Sequence, residues 1–188
     1  MEFEAKTIRL KDGREAILRC PGEEDIPGML EYLYVTSGET EFLLRYPEEC
    51  GKYTYEGEKA LFERMKASPT DLMLACLVEG KVAGNCQLTM NTKLKTRHRG
   101  SVAIAQRKEF WNLGIGSAMF EEMIRIAKQR PYLRQLELEF IEGNSRARAL
   151  YEKFGFRIAG MHPDAILLKD GRLLTEYLMI KPLERNEA

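Results

Sequence analysis

The stretch EFWNLGIGSAMFEEMIRIAKQ, residues 109–129, opens a long amphipathic run with two glycines one residue apart, Gly114 and Gly116. The chemistry on offer there is anion binding by bare backbone. The first N–H groups of a helix lack intrahelical partners and carry the positive end of its dipole, and Gly114, Gly116 and Ser117 leave them uncovered. A diphosphate suits such a seat, while a plain tight turn from strand to helix is the competing reading of the two glycines. Two familiar phosphate loops are excluded by residue type. A dinucleotide fingerprint needs a third small residue where Met119 stands, and a P-loop needs a Lys before a Ser or Thr.

A second constellation follows about thirty residues on, in FIEGNSRARALYEKFGF. Asn144 occupies the position of a helix cap, and Ala147, Leu150, Tyr151 and Phe154 recur at helical spacing. Asn144 and Tyr151 lie about two turns apart and project to similar sides. Taken singly, each has a structural reading: a cap for Asn144, a half-buried aromatic for Tyr151.

The elements that must position these residues can be read from periodicity. TIRLKDGREAILR is a hairpin through Asp12-Gly13. Ile26, Met29, Leu30 and Leu33 mark a helix ending near Gly38, and Leu61, Phe62 and Met65 mark another; ETEFLLRYPEECGKYT between them reads as a loop with a short helix. DLMLACLVEGKVAGNCQLTM gives two strands around Glu79-Gly80-Lys81, and GSVAIAQ a further strand. The run from Gly114 buries Ile115, Met119, Met123 and Ala127 on one stripe. LRQLELEF is a strand with Leu136, Leu138 and Phe140 on one face. A helix from Asn144 to about Phe154, a short strand at Phe156–Ala159 and a hairpin around Lys169-Asp170-Gly171 complete the chain. The order predicts an α/β (α+β) fold, a mixed central sheet of about six to seven strands flanked by helices, in one domain over residues 1–188.

Composition narrows the function classes. Lys plus Arg and Asp plus Glu both number 29, so no net field draws the chain to nucleic acid or anionic lipid, and anion recognition must be local. No apolar run of about 18 residues and no signal-like N-terminus occurs, so neither a membrane nor an export route is expected and the location reads as cytoplasmic. Cys20, Cys50, Cys76 and Cys86 are widely spaced, with His98 and His162 the only histidines, which predicts free thiols in a reducing compartment and no metal site.

In combination, IAQRKEFWNLGIGSAM followed at this distance by NSRARALYEKFGF resembles the GNAT superfamily of acetyl-CoA-dependent N-acetyltransferases, over roughly Leu72 to Leu183. The family loop reads Gln/Arg-x-x-Gly-x-Gly/Ala. Trp111 replaces its first residue, as in the branch that includes ribosomal-protein and polyamine acetyltransferases, which removes one side-chain contact and leaves the backbone donors. The resemblance implies a V-shaped splay between the strands VAIAQ and LELEF, with main chain around Ile104, Ala105 and Gln106 bonding the pantetheine arm and polarising the thioester. The diphosphate of coenzyme A would rest on Trp111, Asn112, Leu113, Gly114, Ile115, Gly116 and Ser117. Asn144 would bond the arm or the acetyl end, and Arg148 would reach a phosphate or the adenosine. Tyr151 would be the general acid: a phenol of pKa about 10 stays protonated at neutral pH and can protonate the departing thiolate.

The same resemblance implies direct attack by a primary amine of a small molecule such as an amino acid or polyamine, or of a protein N-terminus. It offers Glu39, Glu41 and Glu139 on the acceptor side and is compatible with a homodimer. The identity of the base stays open among these and Glu137, since a solvated carboxylate is the default for each. A non-catalytic acyl-CoA sensor and a protein binding another nucleotide diphosphate are the alternatives, the first disfavoured by the presence of Tyr151.

Overall fold

The computed structural model describes residue 1 and residues 3–183. The first hairpin, β1 (Lys6–Arg9) and β2 (Glu15–Arg19), turns through Gly13 at φ +91°. Helices α1 (Ile26–Glu39) and α2 (Tyr55–Ala67) follow, separated by a short 3-10 turn at Pro47–Lys52. Strands β3 (Asp71–Val78) and β4 (Lys81–Met90) are joined through Glu79 and Gly80, both at positive φ (51° and 77°), the backbone of a tight hairpin whose twist matches the strands. Then come β5 (Arg99–Gln106), α3 (Ile115–Lys128), β6 (Gln135–Ile141), α4 (Ser145–Lys153), β7 (Arg157–Leu167) and β8 (Leu173–Pro182).

The strands form one sheet in the order β1-β2-β3-β4-β5-β6-β8-β7, eight strands rather than the six or seven expected from the sequence. Every pairing is antiparallel except β5 with β6. Helix α3 lays Ile115, Met119, Phe120, Met123 and Ala127 on one face, against Leu72, Leu74, Cys86 and Leu88. On the other face Ile26, Met29 and Tyr32 of α1 meet Phe62 and Met65 of α2 over Met73, Ala75 and Val82. Strands β3 and β4 are therefore covered on both sides, which is why DLMLACLV reads as a continuous apolar run rather than an alternation. No helix among the described residues is long and apolar enough to cross a membrane.

The largest departure from the sequence reading is β7, expected as a short strand over residues 156–159 and found to run from Arg157 to Leu167. It lies at the sheet edge with most of its residues exposed, so no buried face imposes an alternation, and register shifts between Ile158 and Gly160 and between His162 and Ile166 break the period further.

One defect in the ladder positions the site. Strands β5 and β6 pair only at Arg99↔Gln135, Gly100↔Leu136 and Ser101↔Glu137. Beyond that point β5 stays on β4 as far as Gln106↔Gly84, and β6 stays on β8 as far as Ile141↔Glu176. The two parallel strands thus part from Val102 and Leu138 onward, each anchored on its outer side and unpaired toward the other.

Candidate active site

A cavity of about 920 Å³ occupies this split. One wall is the loop entering α3. Gly114 caps the helix at φ +97°, ψ −7°, a left-handed conformation, and a Cβ there would meet nothing within 4 Å, so its requirement is one of backbone only. Gly116 answers to space: a Cβ would lie 3.0 Å from Gln106 Nε2 and 3.1 Å from Leu150 Cδ2. The loop is pinned from several sides. Phe110 is buried, the Trp111 indole donates to Gln106 O at 3.2 Å, and Leu113 O accepts from Lys11 N at 3.1 Å. Arg107, with a side chain only 2% exposed, donates from Nε to Val82 O and from a terminal nitrogen to Glu31 of α1, both at 2.9 Å. Helix α3 carries no acidic residue in its first turn to neutralise its N-terminus.

The opposite wall is α4. Asn144 caps it, Oδ1 accepting from Ala147 N at 3.2 Å, which leaves the amide nitrogen of the side chain available to the cavity. Tyr151 is 6% exposed, its ring 5.4 Å from that of Phe120, 6.2 Å from Phe140 and 6.3 Å from Phe156. Its hydroxyl makes no hydrogen bond among the described residues, and burial pushes the phenol up to about 12.

Across the split, on β6 and β8, Glu137, Glu139, Glu176 and Leu178 line the cavity; Gln87 and Thr89 of β4 line it on the β5 side, and the segment Phe42–Leu44 completes the lining. Glu137 is committed: Arg99 bonds both its oxygens, at 2.7 Å for the second, and holds its carboxyl below the usual range. Glu139 and Glu176 have no cationic partner among the described residues.

Of the residues singled out in the sequence, Ile104, Ala105, Gln106, Trp111, Asn112, Gly114, Gly116, Ser117, Glu139, Asn144 and Tyr151 meet on this one cavity. Leu113 and Ile115 pack toward the core beneath it. Arg148 stands outside it, bonded to Glu152 at 2.8 Å. The loop acids are also engaged elsewhere: Glu39 accepts from Lys108 N at 2.7 Å, Glu41 pairs with Arg172 at 2.8 Å, Glu48 pairs with Lys169, and Glu49 accepts from Tyr46 N at 2.7 Å. Residues not anticipated are Arg146, Lys153, Glu176 and the Phe42–Leu44 segment. Arg146 and Lys153 had a signal in their seven-residue spacing, about two helical turns. Glu176 had none, because its place depends on the β6–β8 register.

A cavity that joins an open helix N-terminus to a neutral phenol, across a sheet split ready to receive an extended arm, is suited to moving an acyl group off a thioester that carries a diphosphate. The sequence profile of the acetyltransferase (GNAT) family matches residues 40–156. The chain belongs to that family and is an N-acetyltransferase dependent on acetyl-CoA. It is 25% identical over 119 residues to an L-amino acid N-acetyltransferase of Escherichia coli (strain K12), covering 63% of this chain and 73% of that one. A GNAT-family acetyltransferase structure from Streptococcus pneumoniae superposes with a TM-score of 0.83 at 28% identity, covering 90% and 99% of the two chains. A phosphinothricin acetyltransferase from Sinorhizobium meliloti, solved in complex with acetyl-CoA, shares the fold at TM-score 0.75 and 19% identity over 89% and 88%. In the cavity lining, Gln106 Nε2 and Arg146 Nη1 are buried donors with no partner among the described residues and fit a polar ligand of this kind, since such groups are costly to leave unpaired.

Proposed function

We propose that the chain acetylates the primary amine of a small molecule of the amino-acid class, by direct attack on acetyl-CoA held in the β5–β6 split. The observation that carries this reading is the continuity of one cavity from the glycine loop, past Tyr151, to the unpaired carboxylates Glu139 and Glu176. The amino-acid relative supports the acceptor class.

The roles follow from position. Amides of the α3 first turn hold the diphosphate, and the free edge of β5 around Ile104 and Ala105 bonds the arm and draws charge from the thioester carbonyl. Glu139 or a water held by it takes a proton from the acceptor ammonium. The nitrogen lone pair then forms the C–N bond, the C–S bond breaks, Tyr151 gives its proton to the leaving sulfur, and the surplus proton shed by the acylated nitrogen restores the phenol. Because burial keeps the phenol neutral far above neutral pH, Tyr151 is present as an acid throughout the physiological range. The four thiols are unbridged, in keeping with a reducing, cytoplasmic setting.

The test is release of free thiol from acetyl-CoA against a panel of amino acids, polyamines and N-terminal peptides, with mass spectrometry of the products. An amino acid gaining one acetyl group on nitrogen is the expected result. Coenzyme A binding without turnover on any amine would overturn it.

A further inference from the structure

A chain with no net charge can still carry a face of one sign, and here that face lies at the end of the sheet opposite the glycine loop. Residues 91–100, the β4–β5 loop, and residues 128–136, the turn between α3 and β6, contain no Asp or Glu. The fold joins the two stretches: His98 O accepts from Arg134 N at 2.7 Å and from Gln135 N at 3.1 Å. The loop is itself wound tight, with Thr96 N and Arg97 N both bonded to Lys93 O, at 2.9 and 2.8 Å. Lys93, Lys95, Arg97 and Arg134 are exposed on the surface so formed, and none has an acid partner among the described residues. Of the acids close to them in register, Asp71, opposite Thr89, accepts from Ser68 Oγ at 2.8 Å, and Glu137, opposite Ser101, is held by Arg99. Between the two lysines stands Leu94, 79% exposed, the barest large apolar side chain among the described residues.

Each feature narrows the partner. Uncompensated cations on a hydrogen-bonded loop suit an anionic surface, and an apolar side chain held out between lysines gains from acyl chains what it cannot gain from phosphate alone. A nucleic acid offers the same charge but would leave Leu94 in water. No Phe, Tyr or Trp ring is presented here for a base to stack on, since Tyr132, the only such residue in either stretch, packs against the core. We propose that this face is a docking surface for an anionic lipid bilayer: Leu94 enters the boundary between headgroups and acyl chains, and Lys93, Lys95, Arg97 and Arg134 meet the lipid phosphates. The contact is peripheral and reversible, because four cations and one leucine fall short of a stable anchor. It also spares the catalytic site. Strand β5 carries eight residues from Arg99 at the docking end to Gln106 at the other, roughly 23 Å at 3.3 Å per residue, so the glycine loop and Asn144 sit at the end turned away from the bilayer.

The experiment is co-sedimentation of the full chain with vesicles of phosphatidylcholine alone and of an equal mixture of phosphatidylcholine and phosphatidylglycerol, over a range of salt, beside filter binding to a structured RNA. The expected result is sedimentation with the mixed vesicles only, weakening as salt rises. The double variant Lys93→Gln, Lys95→Gln should bind the mixed vesicles roughly tenfold to thirtyfold more weakly, at about fivefold per cation, and with a shallower salt dependence. Leu94→Ala should lose roughly fivefold while keeping the salt dependence of the unaltered chain. None of these residues lines the cavity, so thiol release from acetyl-CoA without vesicles should match that of the unaltered chain, which also shows that the variants are folded. Failure of the unaltered chain to sediment with mixed vesicles at low salt overturns the proposal, as does sedimentation that both variants leave unchanged. RNA binding without any preference for anionic vesicles assigns the face to nucleic acid and overturns the lipid assignment.

Discussion

The two ends of the cavity are made of different material. At the proposed donor end the loop entering α3 presents mainly backbone, fixed by one helix start, with Gly114 set by φ and Gly116 by the 3.0 Å approach of Gln106. At the acceptor end they are side chains from β4, β6 and β8 under a loop whose Leu44 is 71% exposed. The donor end therefore specifies a ligand through main-chain geometry, which tolerates few residue changes. The acceptor end does so through side chains that can be exchanged while the sheet stays intact. A fold of this kind can hold one cosubstrate constant and vary the amine.

The group between the two ends should show the largest effect. Tyr151→Phe removes the proposed proton donor without disturbing the ring packing against Phe120 and Phe140. Turnover is expected to fall about 10²–10⁴-fold, the usual worth of a positioned acid, with coenzyme A affinity within about twofold. An equal loss of affinity would mean that the phenol serves binding. The pH dependence has a definite sign. The phenol holds its proton up to about 12 in the folded chain against 10.0 unperturbed, so no alkaline fall in kcat from Tyr151 is expected below about pH 11. For stability, the unfolded state releases this proton first. Buried Cys76, raised from 9.0 to about 12, acts in the same direction, so the folded chain loses stability as pH rises from about 9 to 12. Thermal melts across that range check it.

Next comes the acceptor end. Glu139→Gln should lower kcat/KM for the amine by roughly tenfold while leaving the KM for acetyl-CoA unchanged, because the residue stands on the far side of the split from the glycine loop. Steady-state kinetics with each substrate varied in turn separates the two. A parallel rise in the acetyl-CoA KM would erase the distinction between the ends.

These two ends were also unequally legible in the sequence. The donor end is local: a glycine pair, a helix stripe and a cap with a tyrosine about two turns later all lie within single elements, so spacing alone brought Gly114, Gly116, Asn144 and Tyr151 to attention. The acceptor end is assembled by register. Glu176 reaches the cavity because Ile141 pairs with it, and Glu137 is silenced because Arg99 lies one strand away. Only their loop singles out Glu39 and Glu41 in the sequence, and the fold turns Glu39 to the backbone of Lys108 and Glu41 to Arg172. Residue periodicity marks only the start of strand β7 for a related reason, since an exposed edge strand has no buried face to betray its length.

Gly114→Ala is a purer test of the donor end, because the added methyl meets nothing and the penalty comes from φ +97° alone. Stability should drop by about 1–2 kcal/mol, with coenzyme A affinity falling as the first-turn amides shift. Denaturant melts read the first and titration the second. A drop in stability with affinity retained would argue that the glycine serves the turn and not the anion.

The smallest effect is expected at Arg148, and its smallness is informative. The side chain is about half exposed and pairs with Glu152 one helical turn away, an arrangement worth a few tenths of a kcal/mol in an exposed helix and weakened further by salt. Arg148→Ala should therefore shift stability by no more than that and leave coenzyme A affinity within about twofold. Arg146, two positions earlier, stacks on Trp111 and has an unpartnered nitrogen. The two arginines share a helix, a charge and a neighbourhood, and differ in whether a carboxylate already holds them. If titration finds Arg148→Ala as damaging as Arg146→Ala, the donor end is recognised by diffuse positive charge, and the contrast between a geometric donor end and an adaptable acceptor end does not hold.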